Sequence, residues 1–215
     1  MIRILIADDH AIVRQGLKQI LEEHGKMKVV AEFSSGADAL YWVYRNDCDV
    51  VLLDISMPGK SGIEVLKQLH AERPKLPILI LSIYPEDQYA VRLIKAGAAG
   101  YLTKETAPET VVDAVRRVAN GKKYISQTVA EMLANDIGMP DGKLPHETLS
   151  NREYQIFLMI ASATTVSEIA DTLALSVKTV STYRRRILEK MNMRNNAELM
   201  HYAIEKGFGK SCRIL

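Results

Sequence analysis

Short runs of aliphatic residues recur along the first half of the chain, and each run ends at a polar residue. The runs have strand length and are apolar almost throughout, as expected for strands buried on both faces of a parallel sheet. Four predicted strands are Ile2–Ala7, ending at Asp8 and Asp9; Val50–Leu53, ending at Asp54; Pro77–Leu81, ending at Ser82; and Gly100–Thr103, ending at Lys104. Because the carboxyl ends of parallel strands meet at one sheet edge, these polar residues should converge on one patch.

Between these runs the apolar residues recur at helical spacing. With a further strand predicted over 28–33, the alternation indicates five βα units. The helices are predicted over residues 12–21, 37–45, 63–69, 89–96 and 110–119. We therefore predict a doubly wound (βα)5, flavodoxin-like α/β domain with a parallel sheet over residues 1–126. Gly97 and Gly121 fall where two of these helices should end.

The second half of the chain has a helical period throughout. Residues 127–148 are predicted to be a linker with a possible short helix, because 136–145 is rich in turn-forming residues. Residues 149–215 should form a four-helix, all-α domain with a long helix over Val177–Met191. Capping boxes are predicted at Ser150-x-x-Glu153, Thr165-x-x-Glu168 and Asn195-x-x-Glu198, and Ser176 can cap the long helix.

Composition narrows the class of protein. A hydrophobic content of 47% and a charged content of 25% are typical of a globular protein, and no apolar run approaches the ~18 residues of a membrane span. The amino terminus lacks the features of a signal peptide, and Cys48 and Cys212 are too few for a disulfide framework or metal site, which together predict a cytoplasmic protein. Residues 150–215 carry ten basic and six acidic side chains, which favours an anionic partner for that domain.

The polar residues at the strand ends suggest phosphoryl chemistry. The three carboxylates of Asp8, Asp9 and Asp54 would repel one another unless a cation or a proton neutralised them, and oxygen ligands of this kind suit Mg²⁺. A carboxylate can attack phosphorus to give an aspartyl phosphate, while the Lys104 ammonium offsets charge on the phosphoryl oxygens and Ser82 hydrogen-bonds one of them. Any one of these residues could simply be a helix cap or a solvated charge; the set of five on four strands favours a site.

The pattern Asp8-Asp9-His10, Asp54-x-Ser56-Met57-Pro58-Gly59-x-x-Gly62, Ser82 and Lys104 resembles the receiver domain of bacterial two-component response regulators. The resemblance covers residues 1–126. It implies that Asp54 accepts phosphate from a sensor histidine kinase. It also implies that Asp9, Asp54 and the Ser56 main-chain carbonyl bind Mg²⁺ with Asp8 nearby.

The same resemblance makes Ser82 and Tyr101 a switch pair, although Tyr101 alone could be an ordinary strand aromatic. One position departs from the family, since Glu105 stands where many receivers have a proline in a cis peptide. That departure puts the conformation of the loop after Lys104 in question. His10 is expected to be structural rather than catalytic.

The helix predicted over Val177–Met191 separates two kinds of side chain. Plotted at 100° per residue, one side is apolar and carries Val180, Tyr183, Ile187 and Met191, while the other carries hydroxyl and basic residues. A helix of that kind matches a recognition helix in the DNA major groove, because Arg reads guanine and Ser or Thr reaches several base edges. On charge alone, an ordinary amphipathic surface helix is the commoner outcome.

The wider pattern resembles a LuxR-type four-helix DNA-binding domain. Its residues are Leu149-Ser150-x-Arg152-Glu153, Ile169-Ala170-x-x-Leu173-x-Leu175-Ser176-x-x-Thr179-Val180 and Ile187-x-x-Lys190-Met191. The resemblance implies that Ser181, Thr182 and Arg185 read bases. It assigns Lys178, Thr179 and Tyr183 mainly to DNA phosphates, with Arg184 and Arg186 as flanking electrostatic support. Ala163 stands where the family usually has a helix-ending glycine, and Tyr183 replaces the usual histidine.

Together the two halves resemble a NarL/FixJ-family transcriptional regulator, switched by phosphorylation of Asp54 and binding double-stranded DNA as a homodimer. Two alternatives remain open from the residues. One is a phosphatase or phosphotransferase that uses an aspartyl-phosphate intermediate, although no connection between the strands is long enough for a substrate lid. The other is a phosphate-independent DNA-binding protein with a degenerate receiver, which the intact acidic set disfavours.

Overall fold

The computed structural model describes residues 1–57, 59–137 and 144–208. The chain divides after Ile137 into two compact units. Pro58, most of the turn-rich linker (138–143) and Cys212 lie outside the described residues. None of the described helices is both long and apolar enough to cross a membrane.

The first unit is built on a five-stranded parallel sheet, as the sequence predicts. Its strands are β1 Ile2–Ala7, β2 Met27–Phe33, β3 Val50–Asp54, β4 Ile78–Ser82 and β5 Gly100–Thr103. They lie side by side in the order β2-β1-β3-β4-β5. Asp54 and Ser82 are the last residues of their strands rather than the first residues beyond them, so the sheet itself fixes their backbone.

Helices follow each strand, as the alternating pattern predicts. They are α1 Ala11–Glu23, α2 Gly36–Val43, α3 Gly62–Glu72, α4 Glu86–Lys95 and α5 Pro108–Ala119. Helix α4 begins three residues before the predicted Tyr89. Its first turn carries Glu86 and Asp87, which favour a helix amino terminus by charge but break the apolar period that the prediction used.

Burial of the strands on both faces explains their nearly continuous hydrophobicity. On β1, Ile4 and Ile6 belong to a buried cluster with side chains of α1 and α5. The alternate residues Leu5 and Ala7, which face the opposite side of the sheet, are equally buried. Helix packing on both faces leaves the carboxyl-terminal edge of the sheet as the place where polar side chains meet.

Helix α6, Gln127–Ile137, has 11 residues, where the sequence predicted a linker with a possible short helix. Ser126 accepts a hydrogen bond from the Val129 amide and donates one to the Glu86 carboxylate on α4, at 2.7 Å. Val129 is buried, and α6 packs along α4. The first unit therefore extends to Ile137, beyond the boundary at 126 that the sequence suggests, because the turn signals that mark a linker begin only after this helix.

The described residues of the second unit form a 3-10 helix and four α-helices. They are the 3-10 helix Pro145–Thr148, then α7 Asn151–Ala161, α8 Val166–Thr172, α9 Val177–Met191 and α10 Asn196–Glu205. The predicted bounds of α9 are confirmed. Two residues of α9, Val180 and Ile187, are fully buried, whereas Tyr183, placed on the same stripe by the sequence, is only half-buried.

Two of the three predicted capping boxes are present, at Ser150 and at Thr165. At the third position, Asn195 caps α10 by accepting from the Glu198 amide, but the Glu198 carboxylate accepts from the Arg194 amide instead of closing the box. Ser176 accepts from the Thr179 amide at 3.0 Å and so caps α9, as predicted.

Residues with a left-handed backbone conformation follow several helices. Gly97 and Gly121 have φ of 108° and 75°, as expected for glycines after a helix. Ala163 after α7 has φ of 62°, so alanine occupies the conformation for which the family uses glycine. Ala174, in the turn between α8 and α9, has φ of 50°, which the sequence did not reveal. Each of these alanines carries the steric strain of a Cβ in that region.

Candidate functional site

The edge of the sheet brings the predicted acidic residues together. β1 and β3 are adjacent central strands. The connection after β1 leads to β2 on one side of this pair, and the connection after β3 leads to β4 on the other side. Parallel α/β folds bind ligands at such a point, beyond the carboxyl ends of the strands. Asp8 follows β1 and Asp54 ends β3, and both side chains are almost completely buried. Asp9 lies at the same edge with about a third of its side chain exposed.

Lys104 forms ion pairs with both buried carboxylates. Its Nζ lies 2.8 Å from Asp54 Oδ2 and 2.7 Å from Asp8 Oδ2. Burial raises the pKa of Asp54, and the neighbouring Asp8 adds to that effect, while Lys104 opposes it. Burial alone would lower the pKa of Lys104, but hydrogen bonds to both carboxylates outweigh it, and the pKa of the ammonium is raised.

The backbone after β3 holds the Asp54 side chain in place. The Ser56 amide donates to Asp54 Oδ1 at 3.1 Å, leaving the two carboxylate oxygens in different environments. Gly62, the first residue of α3, lies against the Asp54 main chain so closely that a Cβ at this position would overlap the Asp54 carbonyl. The glycine in the quoted motif therefore serves close backbone packing behind the acidic residue.

His10 covers the exposed side of the pocket. Its amide donates to Asp8 Oδ1 at 2.8 Å, and its ring Nδ1 lies 2.7 Å from Asp9 Oδ1 and 3.2 Å from Asp8 Oδ1. The same nitrogen is 3.4 Å from Lys104 Nζ.

These side chains form a donor set that fits a divalent cation. One ligand atom from each of Asp8, Asp9, His10 and Asp54 lies within 4.8 Å of all the others. Asp8 Oδ2 and Asp9 Oδ1 are buried; the Lys104 ammonium lies 2.7 Å from Asp8 Oδ2, and the His10 ring Nδ1 lies 2.7 Å from Asp9 Oδ1. Carboxylate oxygens in this state gain from a metal ion, and a pocket of this composition could bind Mg²⁺.

Ser82 and Tyr101 are linked through a residue that the sequence did not single out. Ser82 Oγ accepts from the Tyr84 amide at 3.1 Å, and the Tyr101 hydroxyl donates to the Tyr84 carbonyl at 2.7 Å. Ser82 and Tyr101 are both fully buried, and burial raises the pKa of the Tyr101 hydroxyl. The Lys104 amide also donates to the Ser82 carbonyl, at 2.7 Å.

The loop after Lys104 contains no cis peptide, and none occurs among the described residues. Glu105 thus follows the lysine through a trans bond. Within this loop the Thr106 amide donates to the Thr103 carbonyl at 3.0 Å, which turns the chain immediately after β5.

In the second unit, α9 presents a polar face to solvent. Lys178, Ser181 and Arg185 are exposed, as predicted for that side of the helix, and so is Arg186 on its flank. Thr182, which was predicted on the same side, is half-exposed. Arg185 has an exposed ion-pair partner one turn along at Glu189, 3.7 Å away, and such pairs contribute little energy and can open for another anion.

Other predicted contact residues on α9 already have partners. The hydroxyl of Thr179 lies 2.7 Å from that of Ser176, and Thr182 Oγ1 donates to the Lys178 carbonyl at 2.9 Å. Arg184 Nε donates to Asn196 Oδ1 at 2.6 Å, tying α9 to α10. The sequence placed Arg184 on a flank and gave no sign of this contact, because Asn196 is twelve residues away.

Each of the two units matches a known protein family. Residues 4–116 match the response regulator receiver domain, and residues 147–203 match the luxR family of bacterial regulatory proteins. The chain belongs to the response regulators with a LuxR-type DNA-binding domain. Response regulators of this family are DNA-binding transcription regulators rather than enzymes, and as a class they act with histidine kinases and DNA.

Similar proteins align with nearly the full length of this response regulator. Response regulator UvrY of Escherichia coli K12 is 42% identical over 208 residues, covering 96% of this chain and 95% of UvrY. Response regulator GacA of Pseudomonas aeruginosa is 40% identical, covering 96% and 97%. RcsB of Salmonella enterica serovar Typhimurium, solved bound to promoter rprA with phosphomimetic BeF3⁻, superimposes with a TM-score of 0.65 at 25% identity, covering 94% of this chain and 97% of RcsB.

Sequence reasoning about this response regulator missed one residue at the receiver site. Tyr84 connects Ser82 to Tyr101 through its main-chain amide and carbonyl, which residue identity does not reveal.

Proposed function

We propose that this response regulator is a transcription factor switched by phosphorylation of Asp54. The observation that carries the proposal is the buried Asp54 carboxylate, 2.8 Å from the Lys104 ammonium at the sheet edge where ligands bind. Asp9 and Asp8 supply further negative charge beside it, of the kind that a phosphate-associated cation neutralises.

In the proposed reaction, one Asp54 oxygen attacks the phosphorus of a phosphohistidine on a sensor kinase. The new O–P bond forms as the P–N bond breaks, and the electron pair leaves with the imidazole. Lys104 neutralises charge on the transferred phosphoryl oxygens. Asp9, Asp54 and the Ser56 main-chain carbonyl would hold Mg²⁺, with Asp8 nearby, and the ion would supply positive charge to the phosphoryl group.

The phosphoryl group would then change the hydrogen bonds at the end of β4. Ser82 Oγ now accepts from the Tyr84 amide, and we propose that it turns to donate to a phosphoryl oxygen instead. The Tyr84 carbonyl also accepts a hydrogen bond from the Tyr101 hydroxyl, so a movement of the Tyr84 main chain changes the position of the Tyr101 ring. This would bias a two-state receiver, in which two packings differ by a few hydrogen bonds.

The output of the switch is DNA binding through α9. We propose that Ser181, Thr182 and Arg185 read base edges, while Lys178, Thr179 and Tyr183 contact phosphates. Arg184 and Arg186 add electrostatic support, and the bond from Arg184 to Asn196 lets it also orient α9 against α10.

We further propose that the phosphorylated protein binds DNA as a homodimer in the cytoplasm. One of the similar RcsB structures contains two dimers bound to two parallel DNAs, with a TM-score of 0.58 and 27% identity over 94% of this chain and 98% of RcsB. Two recognition helices from one dimer would meet two half-sites about one helical turn apart.

The phosphoacceptor is tested by incubating the full chain with Mg²⁺ and acetyl phosphate and locating the phosphoryl group by mass spectrometry. We expect label on the peptide that contains Asp54 and none in Asp54→Asn. Label that persists at the same level in Asp54→Asn would rule out Asp54 as the acceptor.

The base-reading face is tested by comparing Arg185→Ala with Arg186→Ala as its matched control. Arg185→Ala should relax base preference at one position in each half-site, at a cost of about 1–3 kcal/mol for the preferred base. Arg186→Ala should weaken binding about equally for all sequences and make it less salt-dependent. Selection from a randomised DNA pool measures both, and an unchanged Arg185→Ala profile would refute the assignment of this face.

A further inference from the structure

Ser126 makes two hydrogen bonds at the start of α6. Its hydroxyl oxygen accepts from the Val129 amide at 3.2 Å, which caps the helix, and its hydroxyl hydrogen is donated to Glu86 Oε2 at 2.7 Å. A serine hydroxyl has a single hydrogen to donate, so that hydrogen is used by Glu86. Because Glu86 is the first residue of α4, the cap of α6 is bonded to the first turn of α4.

Glu86 lies close along the chain to the residues of the proposed switch. Residues 83–85 are all that separates it from Ser82 at the end of β4. Within this segment, the Tyr84 amide donates to Ser82 Oγ and the Tyr84 carbonyl accepts from the Tyr101 hydroxyl. A connection of three residues transmits a displacement of the Tyr84 main chain to the first turn of α4, and so to Glu86.

We propose that the Ser126–Glu86 hydrogen bond holds α6 against α4 before phosphorylation, and that it opens when phosphorylation displaces the first turn of α4. Since α6 ends at the last residue of the first unit, its release frees the chain that leads into the DNA-binding unit. This inference rests on the proposed function, because phosphorylation of Asp54 is the event that moves α4. It adds two positioning residues, Glu86 and Ser126, through which the state of Asp54 reaches α6.

The packing of α6 explains why one hydrogen bond can decide its position. The helix has 11 residues, and helices of that length are only marginally stable without tertiary contacts. On its packed side Val129 is buried, whereas Met132 and Leu133 are half-buried. A hydrogen bond to a charged acceptor shifts an equilibrium between two positions by on the order of tenfold or more.

The segment before α6 has a separate anchor. Tyr124 forms a parallel bridge with Gly100 of β5, and its amide donates to the Ala99 carbonyl at 2.8 Å. These contacts do not involve α4. Opening of the Ser126–Glu86 bond should therefore release α6 and leave Tyr124 in place, which distinguishes local release from general loosening of the unit.

Ser126→Asp breaks this bond without removing the helix cap. Aspartate caps helices as well as serine does, but its carboxylate repels that of Glu86. Adding Glu86→Gln restores a hydrogen bond, because the glutamine amide can donate to the aspartate at 126. Asp87→Ala is the matched control, since it removes an exposed acidic side chain from the same turn of α4.

Hydrogen exchange of the full chain, followed by mass spectrometry, measures the release of α6. Without phosphodonor, the α6 amides should exchange on the order of tenfold faster in Ser126→Asp than in the wild type. The double variant Ser126→Asp/Glu86→Gln and Asp87→Ala should exchange at about the wild-type rate, and the Tyr124 amide should stay protected throughout. Wild-type exchange of α6 in Ser126→Asp, equally faster exchange at Tyr124, or no recovery in the double variant would overturn the proposal.

Acetyl phosphate and Mg²⁺ test the link to phosphorylation. Labelled wild type should show the faster α6 exchange of Ser126→Asp. Unlabelled Ser126→Asp should bind paired half-sites on the order of tenfold more tightly than the unlabelled wild type, because more of it is in the released state.

Failure of this inference can be distinguished from failure of the proposed function. If Asp54 is labelled while exchange of α6 stays unchanged, only the role of the Ser126–Glu86 bond is wrong. If Asp54 takes no label, the proposed function is wrong, and with it the event that opens the bond.

Discussion

At the residue scale, the pocket depends on one glycine as well as on its charged groups. Gly62→Ala would force a Cβ into the Asp54 carbonyl and displace the proposed phosphoacceptor. A displacement of about 1 Å can reduce reaction rates by on the order of a hundredfold, so we expect a large loss of acetyl phosphate labelling. The measurement is the labelling rate, combined with circular dichroism to verify folding.

Gly16→Ala on α1 is the matched control for that substitution. A Cβ at Gly16 meets nothing within 4 Å, so this variant should label normally and gain up to about 1 kcal/mol of stability from helix propensity. If Gly62→Ala folds and labels as fast as Gly16→Ala, close packing at Gly62 does not position Asp54.

The charged residues of the pocket could be predicted from the sequence, but the hydrogen bonds between them could not. Asp8, Asp54 and Lys104 could be placed together because each lies at or directly after the carboxyl end of a buried strand, and these ends meet on one side of a parallel sheet. The roles of Tyr84 and the His10 ring depend on main-chain direction and on side-chain rotation. Neither leaves a periodic signal in the sequence.

At the element scale, two helix ends carry avoidable strain. Ala163 and Ala174 adopt left-handed conformations that glycine accepts without a Cβ clash. Ala163→Gly and Ala174→Gly should each raise the free energy of unfolding by about 0.5–1 kcal/mol, measured by calorimetry of the full chain. Ala197→Gly within α10 is the control and should not stabilise. A lower melting temperature in both test variants would refute the strain argument.

The stability that the ion pair between α7 and α9 contributes should depend on pH. Glu153 is buried and lies 2.6 Å from Lys190. Burial raises the pKa of Glu153, but its bonds to Lys190 and Ser150 outweigh burial and lower it below the ordinary value of 4.5. Stability from this carboxylate is therefore complete above about pH 5 and disappears as the pH falls through the lowered pKa.

Glu153→Gln tests that dependence. The variant should melt at a lower temperature than the wild type at pH 7, and the difference should shrink as the pH falls toward 3. Glu189→Gln, whose carboxylate is exposed on α9, is the control. A Glu153→Gln difference that stays constant from pH 7 to pH 3 would show that the carboxylate charge contributes nothing.

Helix boundaries show which local signals were sufficient. The bounds of α9 followed from its Ser176 cap and unbroken apolar period. The start of α4 was missed because acidic residues open it, and α6 was underestimated because its stability comes from packing on α4 and from the Ser126–Glu86 bond. Tertiary contacts of this kind decide short helices and cannot be read from periodicity.

At the scale of the whole molecule, the candidate sites of the two units carry side chains of opposite charge. The first unit holds buried carboxylates at the carboxyl ends of its strands, and the second presents exposed cationic side chains on α9. The sequence predicted this division because charge, periodicity and motif all change in the same region. The proposed function requires that the state of Asp54 control the affinity of α9 for DNA.

Selection of genomic DNA fragments by the purified full chain, with and without acetyl phosphate and Mg²⁺, tests that requirement most directly. The account predicts that phosphodonor strengthens enrichment of a set of paired half-sites by the wild type and has no effect on Asp54→Asn. Equal enrichment by the wild type with and without phosphodonor, under conditions where Asp54 is shown to be labelled, would contradict it.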